Sequence, residues 1–551
     1  MNNQRLADLL FPNLTMTVED IMAKYPKRHL KEGQVVSRYA PSPTGYMHIG
    51  NFLQMFISYN LTRVTDGIIF LRIEDTDSKR EKNDAMQVIY EILDRYGIKF
   101  NEYQTLDGVD IGNYGPYKQS ERTEIYKAFA KKLVAEGKAF PCFCVKTEGL
   151  DDVKKLREDK FNNDDMKEYD PCRDMPIEEV ERRINNGEKF AIRLKTKNDG
   201  TQRVKFYDLI KGEIDAKANA KDFILLKNDG IPPYAFAHAV DDTLMGTTIV
   251  VRGEEYISST PMHIELFEAL GFKPTIYCHN PLIWKIGENG NRRKISKRYD
   301  PEFKMTYYFE QGYPINSVLE YLLNLINSGF EEWRAKNPTL DWREFKFGIN
   351  DITMVAPVFD MVKLIDISKN IIARMSAEEV YTSVLAWAEE YDKEFYLVLK
   401  ENKSFAIDVF SIDRGGDKPR KDISKWSEVK DYFDYMFIPY KYLQFKELLN
   451  TKIDSAIIKA AMNKYLECYD ETDDKQTWFN KIKDIANELN FCTNNKEYKL
   501  NPDKYIGNTA DFCAIIRLVV SARIEGCDLY SICKVLGKQE MNDRLTQFLN
   551  R

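Results

Sequence analysis

The chain has 551 residues, 43% hydrophobic and 30% charged, a globular profile that excludes a disordered chain and, at roughly 150 residues per domain, predicts three or four domains. Its 80 Lys and Arg against 86 Asp and Glu leave a net charge of −6, which excludes a uniformly basic nucleic-acid coat, so any polyanionic partner has to be met by local patches. The 9 cysteines, odd in number and thinly spread, fit a reducing compartment better than a disulfide framework, and no run approaches the apolar length of a membrane span. The start carries Asp8, Glu19, Asp20 and Glu32 and reads as neither a secretory signal nor an acid-poor transit peptide. The expectation is a soluble, cytoplasmic, multidomain protein.

In chain order, residues 1–33 read as a short helical extension, with Leu6, Leu9 and Leu10 before Pro12 and Val18, Ile21 and Met22 after it. Val35 to Ala40 reads as a strand, stopped by Pro41-Ser42-Pro43-Thr44-Gly45. Apolar residues at Ile49, Phe52, Leu53, Phe56, Ile57, Leu61 and Val64 then predict a helix, with Gly67 as its stop. A second strand, Ile68 to Ile73, completes a βαβ unit with parallel strands. Helices follow at Ala85–Tyr96 and Ser120–Glu136, then a charged, helical or mobile segment at Glu148–Lys167. Strands return at Phe190–Leu194, Phe223–Leu226 and Thr247–Val251, with a helix near Met262–Leu270. Beyond Asn350 long amphipathic stretches dominate, among them Ala377–Tyr391, Ser455–Leu466 and Asp511–Ala522. The fold class is therefore α/β in the front half, with an insertion, and mostly α-helical behind.

Two constellations carry chemistry. The first, Pro41 to Asn51, contains His48-Ile49-Gly50-Asn51 and lies between the carboxyl end of a parallel strand and a helix start. Anions bind there, because free N–H groups and the helix dipole favour negative charge. Gly50 allows close approach of a ligand and His48 can donate to a phosphate oxygen; the plain alternative is a tight turn with a capping histidine. The second, Arg292-Arg293-Lys294-Ile295-Ser296-Lys297-Arg298, puts five cations in seven residues. It is either a solvated charge run or a loop that neutralises a polyphosphate during cleavage.

Together the two resemble the HIGH and KMSKS motifs of class I aminoacyl-tRNA synthetases. Arg38 to Gly45, Leu71-Arg72-Ile73-Glu74-Asp75-Thr76-Asp77, Ala239-Val240-Asp241-Asp242 and Arg252 to Pro261 narrow the resemblance to the glutamyl-tRNA synthetase family, bacterial type, in order from about residue 36 to 375. The resemblance implies a Rossmann-like parallel-sheet catalytic domain in two halves, 34–110 and 230–288. It also implies an inserted acceptor-end-binding domain at 111–229, a stem-contact region with the lysine loop at 289–375, and a helical anticodon-binding region at 376–551. The implied substrates are L-glutamate, ATP with Mg²⁺ and tRNA(Glu), and the implied protein is a monomer with no membrane partner. His48, Gly50, Lys294 and Lys297 match the catalytic motif positions; Thr44, Asn51, Glu255 and Ser296 join them around ATP. Arg38 and Arg252 match the arginines that hold glutamate, because guanidinium binds a carboxylate bidentately without losing its proton. Out of that context each could be a structural ion pair with Glu74 or Glu254. Glu74 matches the acceptor of the α-amino group, and Ser42, Tyr234 and His238 line the pocket. At 238 the family usually shows Asn, whereas the glutaminyl relative carries His in the corresponding block; Arg252 speaks for glutamate. Some relatives hold zinc through Cys-x-Cys and a distant Cys-x-His. Here Cys142, Cys144, Cys172 and Asp174 are the counterpart, either as a Zn²⁺ site or as isolated buried thiols.

Overall fold

The computed structural model describes residues 3–43, 45, 47–76, 84–144, 172–296, 299–416, 419–445 and 453–550. Two compact units divide the chain, Met1–Tyr307 with Leu322–Asp360 and Tyr308–Tyr321 with Met361–Arg551. The expected segment Glu148–Lys167 lies outside the described residues.

The first unit opens with helices α1 (Asn3–Leu10) and α2 (Val18–Lys24) and continues into β1 (Val36–Tyr39), α3 (Ile49–Val64) and β2 (Ile68–Leu71). β1 and β2 are parallel, in register from Val36 opposite Ile68 to Tyr39 opposite Leu71. α3 buries Ile49, Phe52, Leu53, Phe56, Ile57 and Leu61, the face that the sequence periodicity predicts. The helix ends at Val64, three residues before the expected stop. The left-handed turn falls on Asp66, at φ 50°, and Gly67 serves another purpose: a Cβ there would overlap the Val35 carbonyl oxygen, so its bare backbone lets β2 start against β1.

Further along lie α4 (Thr123–Ala135), the antiparallel hairpin β3 (Arg203–Asp208) and β4 (Gly212–Lys217), α5 (Tyr234–Leu244), β5 (Ile249–Gly253), α6 (Thr260–Leu270) and β6 (Ile276–Asn280). β5 pairs in parallel with β6, and β6 meets the end of β3 through Tyr277 opposite Asp208. β5 runs beside β1: Thr248 N donates to Val36 O (2.9 Å) and Ser37 Oγ to Ile249 O (3.0 Å). The lateral order is thus β2, β1, β5, β6. A separate antiparallel sheet of Ala139–Cys142, Ala191–Leu194 and Phe223–Leu226 sits in the insertion. A short hairpin of β7 (Trp284–Ile286) and β8 (Arg292–Lys294) carries the cation-rich segment.

Residues 1–33 are no loose extension. Leu6, Ala7, Leu10, Phe11, Val18, Ile21 and Tyr25 are buried in the same core as Ile125, Phe129 and Val134 of α4 and Leu266 and Phe267 of α6. Arg28 locks the segment down. Its Nη1 and Nη2 each reach a Glu102 oxygen at 2.7 Å, its Nε donates to Met245 O (2.7 Å), and its guanidinium lies 3.7 Å from the Tyr114 ring centre.

In the second unit, helices Ala377–Tyr391, Lys393–Glu401, Lys403–Ser411, Ser455–Cys468, Lys475–Glu488, Thr509–Ser521 and Leu529–Leu549 enclose one apolar core that includes Val384, Leu399, Val409, Ile482, Ile516 and Met541. Among the described residues no helix is long and apolar enough to cross a membrane. A buried ion pair that loses one partner leaves an uncompensated charge. Arg28→Ala is therefore expected to cost about 3 kcal/mol, read as a lower urea midpoint for the first unit; an unchanged midpoint would show that the apolar contacts of α1 and α2 suffice.

Candidate active site

Side chains from β1, the end of β2 and α5 are joined by a buried network beside neighbouring parallel strands, near the carboxyl ends where open α/β sheets hold ligands. Asp242, on α5 and fully buried, is its centre. Its Oδ1 accepts from Arg72 Nη1 (2.7 Å) and Thr247 Oγ1 (3.1 Å); its Oδ2 lies against His238 Nδ1 and 3.6 Å from Arg38 Nε. Arg72 continues to Glu74, Nη2 to Oε1 at 2.9 Å. The adjacent Asp241 accepts from Arg122 Nε (2.7 Å), Gln119 Nε2 (2.9 Å) and Tyr126 OH (2.7 Å). One helix can bury two successive carboxylates because each has its own arginine. Burial acts to raise the Asp242 carboxyl, but Arg72, His238 and Arg38 overturn it and hold the group well below the usual carboxylate range. At Glu74 burial wins over Arg72 and Arg38, and the carboxyl is raised.

Of the expected glutamate contacts, Arg38, Glu74, His238, Tyr234 and Arg252 come together. Arg38 donates from Nη1 to Val251 O (3.2 Å), the residue before Arg252, and its ion pair is with Asp242, while Glu74 feels its charge without pairing with it. Arg252 is buried and forms no ion pair with a carboxylate among the described residues; Glu254 pairs with Lys211 (2.8 Å). The Tyr234 ring stacks on His238 at 5.4 Å and an 11° tilt. His238 sits one layer back, with no exposure and both nitrogens engaged, by Asp242 and by Tyr277 OH (3.2 Å). The sequence expectation that His238 lines the pocket is thereby corrected: the buried ring supports Tyr234 and Asp242. Ser42 is exposed on the strand–helix loop.

Of the expected nucleotide residues, His48, Gly50 and Asn51 share the start of α3. His48 caps α3, its Nδ1 accepting from Asn51 N (3.3 Å), and Gly50 lacks the Cβ that would press to 3.2 Å from that ring. Phe303 stacks on His48 at 4.4 Å, Lys304 bridges His48 through the backbone, and Met305 N donates to Met47 O (3.2 Å). The chain that follows the cation-rich segment is therefore docked on the His48 turn. Lys294 is exposed on β8, while Arg293 is taken up by Asp300 at 2.6 Å from both Nη atoms; Asp300 also accepts from Ser296 N (2.8 Å) and Lys285 Nζ (3.0 Å). Arg293 above all holds Asp300 far below the usual carboxylate range. Glu255 is exposed beside Gly253, and Thr44, Lys297 and Arg298 lie outside the described residues.

In the insertion the sulfurs of Cys142, Cys144 and Cys172 lie within 4.8 Å of one another, and Phe143 N donates to Cys172 Sγ (3.4 Å). Asp174 does not join them. Its solvent-facing carboxylate bonds Lys195 (3.3 Å), which corrects its expected place as fourth ligand. Sequence alone assigns no role to Arg72, Asp208, His263 or His279. The available signal was charge inside apolar runs: Arg72 follows Ile68 to Leu71, and Asp241-Asp242 closes Ala235 to Val240.

The family model for tRNA synthetases class I (E and Q), catalytic domain, matches residues 34–335. The glutamate–tRNA ligases of Clostridium beijerinckii and Acetivibrio thermocellus are 42% and 40% identical to the chain, each comparison covering 100% of both proteins. The chain belongs to the glutamate–tRNA ligase family of class I aminoacyl-tRNA synthetases. The fold agrees: a crystal structure of a glutamate tRNA ligase from Elizabethkingia meningosepticum in complex with its amino acid superposes with a TM-score of 0.71 at 22% identity, covering 94% of this chain and 99% of that one. The comparison with the 42% identical ligase spans 100% of the chain, residues 1–33 included.

His238 offers a test of the ligase's buried network. Burial, partly opposed by Asp242, pushes its imidazole down to about 4 from 6.5. Between those values the unfolded chain binds a proton that the folded protein refuses, so stability rises with pH. Acidification from pH 7 to 4 should remove about 3 kcal/mol through this ring. Denaturant midpoints across that range should fall less in His238→Asn; parallel profiles would mean the ring does not stay neutral.

Proposed function

We propose that the protein attaches L-glutamate to tRNA(Glu) with ATP in two steps, acting as a monomer in the cytoplasm. In the first, the α-carboxylate oxygen of glutamate bonds to the α-phosphorus of ATP as the bond to pyrophosphate breaks, giving glutamyl-adenylate. In the second, the 3′-terminal ribose hydroxyl of tRNA takes the glutamyl group and AMP leaves. Displacement at phosphorus asks for positioning and charge stabilisation. The observation that supports this reading is the docking of Phe303, Lys304 and Met305, which follow the cation-rich segment, on the turn of Met47 and His48.

The residues fit a nucleotide there. Gly50 keeps the start of α3 open, His48 presents its ring at the cap, and Lys294 is exposed on the hairpin. His48 and Lys294, with Lys297, would hold the phosphates, and Thr44, Asn51, Glu255 and Ser296 complete the ATP contacts. Mg²⁺ bound with the nucleotide would offset its phosphate charge. On the amino-acid side Arg38 and Arg252 would take the side-chain carboxylate and Glu74 the α-ammonium, with Ser42 and Tyr234 beside them. A bound ammonium returns charge to the Glu74 carboxylate that burial disfavours. The insertion, 111–229, would meet the acceptor end and the helices of 376–551 the anticodon.

Purified protein should charge tRNA with labelled glutamate and not with glutamine; charging with glutamine alone would overturn the assignment. Lys297→Ala should lower turnover roughly 10²-fold with glutamate KM nearly unchanged, because the lysine acts on charge that develops during displacement. Unchanged turnover would remove the loop from the reaction.

The three thiols fit Zn²⁺ in their mutual spacing, and the N–H donated to Cys172 Sγ favours a thiolate. Zinc there would pin Cys142 and Cys144 to Cys172. Metal analysis should find about one equivalent of zinc, lost on Cys172→Ser; below about a third of an equivalent, the cysteines are plain buried thiols.

A further inference from the structure

The chain has 5 histidines, and two of them, His263 and His279, are buried against one arginine. Arg252 Nε donates to His279 Nε2 (3.0 Å), Nη1 to His263 Nδ1 (2.7 Å) and Nη2 to Thr260 Oγ1 (2.8 Å). Guanidinium has only donors, so both imidazole nitrogens that face it carry lone pairs. For His279 that state is fixed from the far side of the ring: Nδ1 donates to Asp208 Oδ2 at 2.7 Å. Asp208 is itself immobilised, its Oδ2 accepting from His279 N (3.0 Å) and its Oδ1 from Ile210 N (3.0 Å) and Lys211 N (2.9 Å). Asp208, His279 and Arg252 thus stand on β3, β6 and β5, three neighbouring strands. Burial and the nearby guanidinium keep both imidazoles below their ordinary range, in keeping with neutral rings.

The consequence is electrostatic. A carboxylate in direct contact would orient Arg252 and also cancel its charge. Neutral acceptors orient it and leave the charge available, with Asp208, the carboxylate that holds His279, one imidazole away. Three of the five guanidinium N–H groups are used, which leaves one on each Nη, the fork that fits a single carboxylate. A carboxamide offers one acceptor oxygen and no charge to that fork.

We propose that Asp208 and His279 are positioning residues for Arg252, and that this relay sets the preference for a side chain ending in carboxylate over its carboxamide. The inference rests on the reading of Arg252 as a glutamate-binding arginine. It is tested by charging of tRNA with labelled glutamate, varying glutamate and ATP separately, in Asp208→Asn, His279→Leu, His279→Gln and Arg252→Gln. Asp208→Asn and His279→Leu should raise the glutamate KM about 10-fold or more, the loss of a hydrogen bond to a charged group, and reduce the glutamate-over-glutamine ratio of kcat/KM, with ATP KM unchanged. His279→Gln, whose carbonyl oxygen can accept from Arg252 Nε, should recover part of the loss. Equal damage to both substrates, or no recovery in His279→Gln, would mean packing alone and would overturn the relay. If Arg252→Gln loses glutamate while the Asp208 and His279 variants behave as wild type, the relay falls and the arginine stands. If Arg252→Gln leaves glutamate KM unchanged, the arginine assignment fails first. Should a variant not fold, ¹⁵N shifts of histidine-labelled wild-type protein decide: His279 as the Nδ1–H tautomer is required, and the Nε2–H form overturns the proposal.

Discussion

A carboxylate without exposure is the constraint on which the first unit's site depends. Asp242 cannot remain ionised in that interior without cations and donors around it, and these come from different elements: the guanidinium groups of Arg38 from β1 and Arg72 from the end of β2, and the neutral imidazole of His238 from its own helix. The same ion therefore fixes the angle of α5 against two strands and the side chains that leave those strands at their carboxyl ends. Removing any one cation would strand charge, so the arrangement is over-determined, as a site that must not drift by an ångström requires.

The two arginines on adjacent strands are treated in opposite ways. Arg38 leans on a carboxylate of the protein, so part of its charge is compensated before any ligand arrives. Arg252 leans on imidazoles and a hydroxyl, so its charge is not. Such a division lets one arginine hold the pocket together while the other supplies the attraction that selects a ligand. Glu74 completes the scheme with the reverse sign. Its carboxyl is disfavoured as an anion by burial and becomes more comfortable when a cation is added.

Much of this was legible in the chain. The βαβ unit, the long helices and the strands at Phe190–Leu194, Phe223–Leu226 and Thr247–Val251 followed from periodicity, and the helix at Ala377–Tyr391 falls on its expected limits. The motif residues were legible because glycine, histidine and clustered lysines at a strand–helix turn and a hairpin are rare enough together to be read. Four things were not. The strands β3, β4 and β6 went unread, the first two because their side chains, Asp208 aside, are exposed or half-buried and form no apolar face. The start looked like an appendage because its two short amphipathic helices give no hint of their partner; α4 is a hundred residues on. Asp174 sat at ligand spacing, yet a lysine from a neighbouring strand, Lys195, claimed it. His263 and His279 stood in ordinary apolar contexts; the pairing of β5 with β6 sets His279 beside Arg252, and α6 brings His263 to the same arginine. Long-range pairing is what spacing cannot encode.

The cation-rich hairpin shows the same principle at finer scale. Read as sequence, its five positive residues are equivalent; folded, at least one is not available to a ligand. Arg293 is bound by Asp300, a buried carboxylate that also collects Lys285 and the Ser296 N–H. That bond ties β8 to the residues that carry Phe303 onto the His48 ring. Arginine suits this anchoring role, because a planar fork on one carboxylate fixes direction as well as distance, whereas an ammonium on a flexible stem fixes neither. On the proposed function the lysines would take the opposite role, since charge that has to reach a phosphate and follow it as bonds change is better carried by a point on a flexible stem than by a fixed fork.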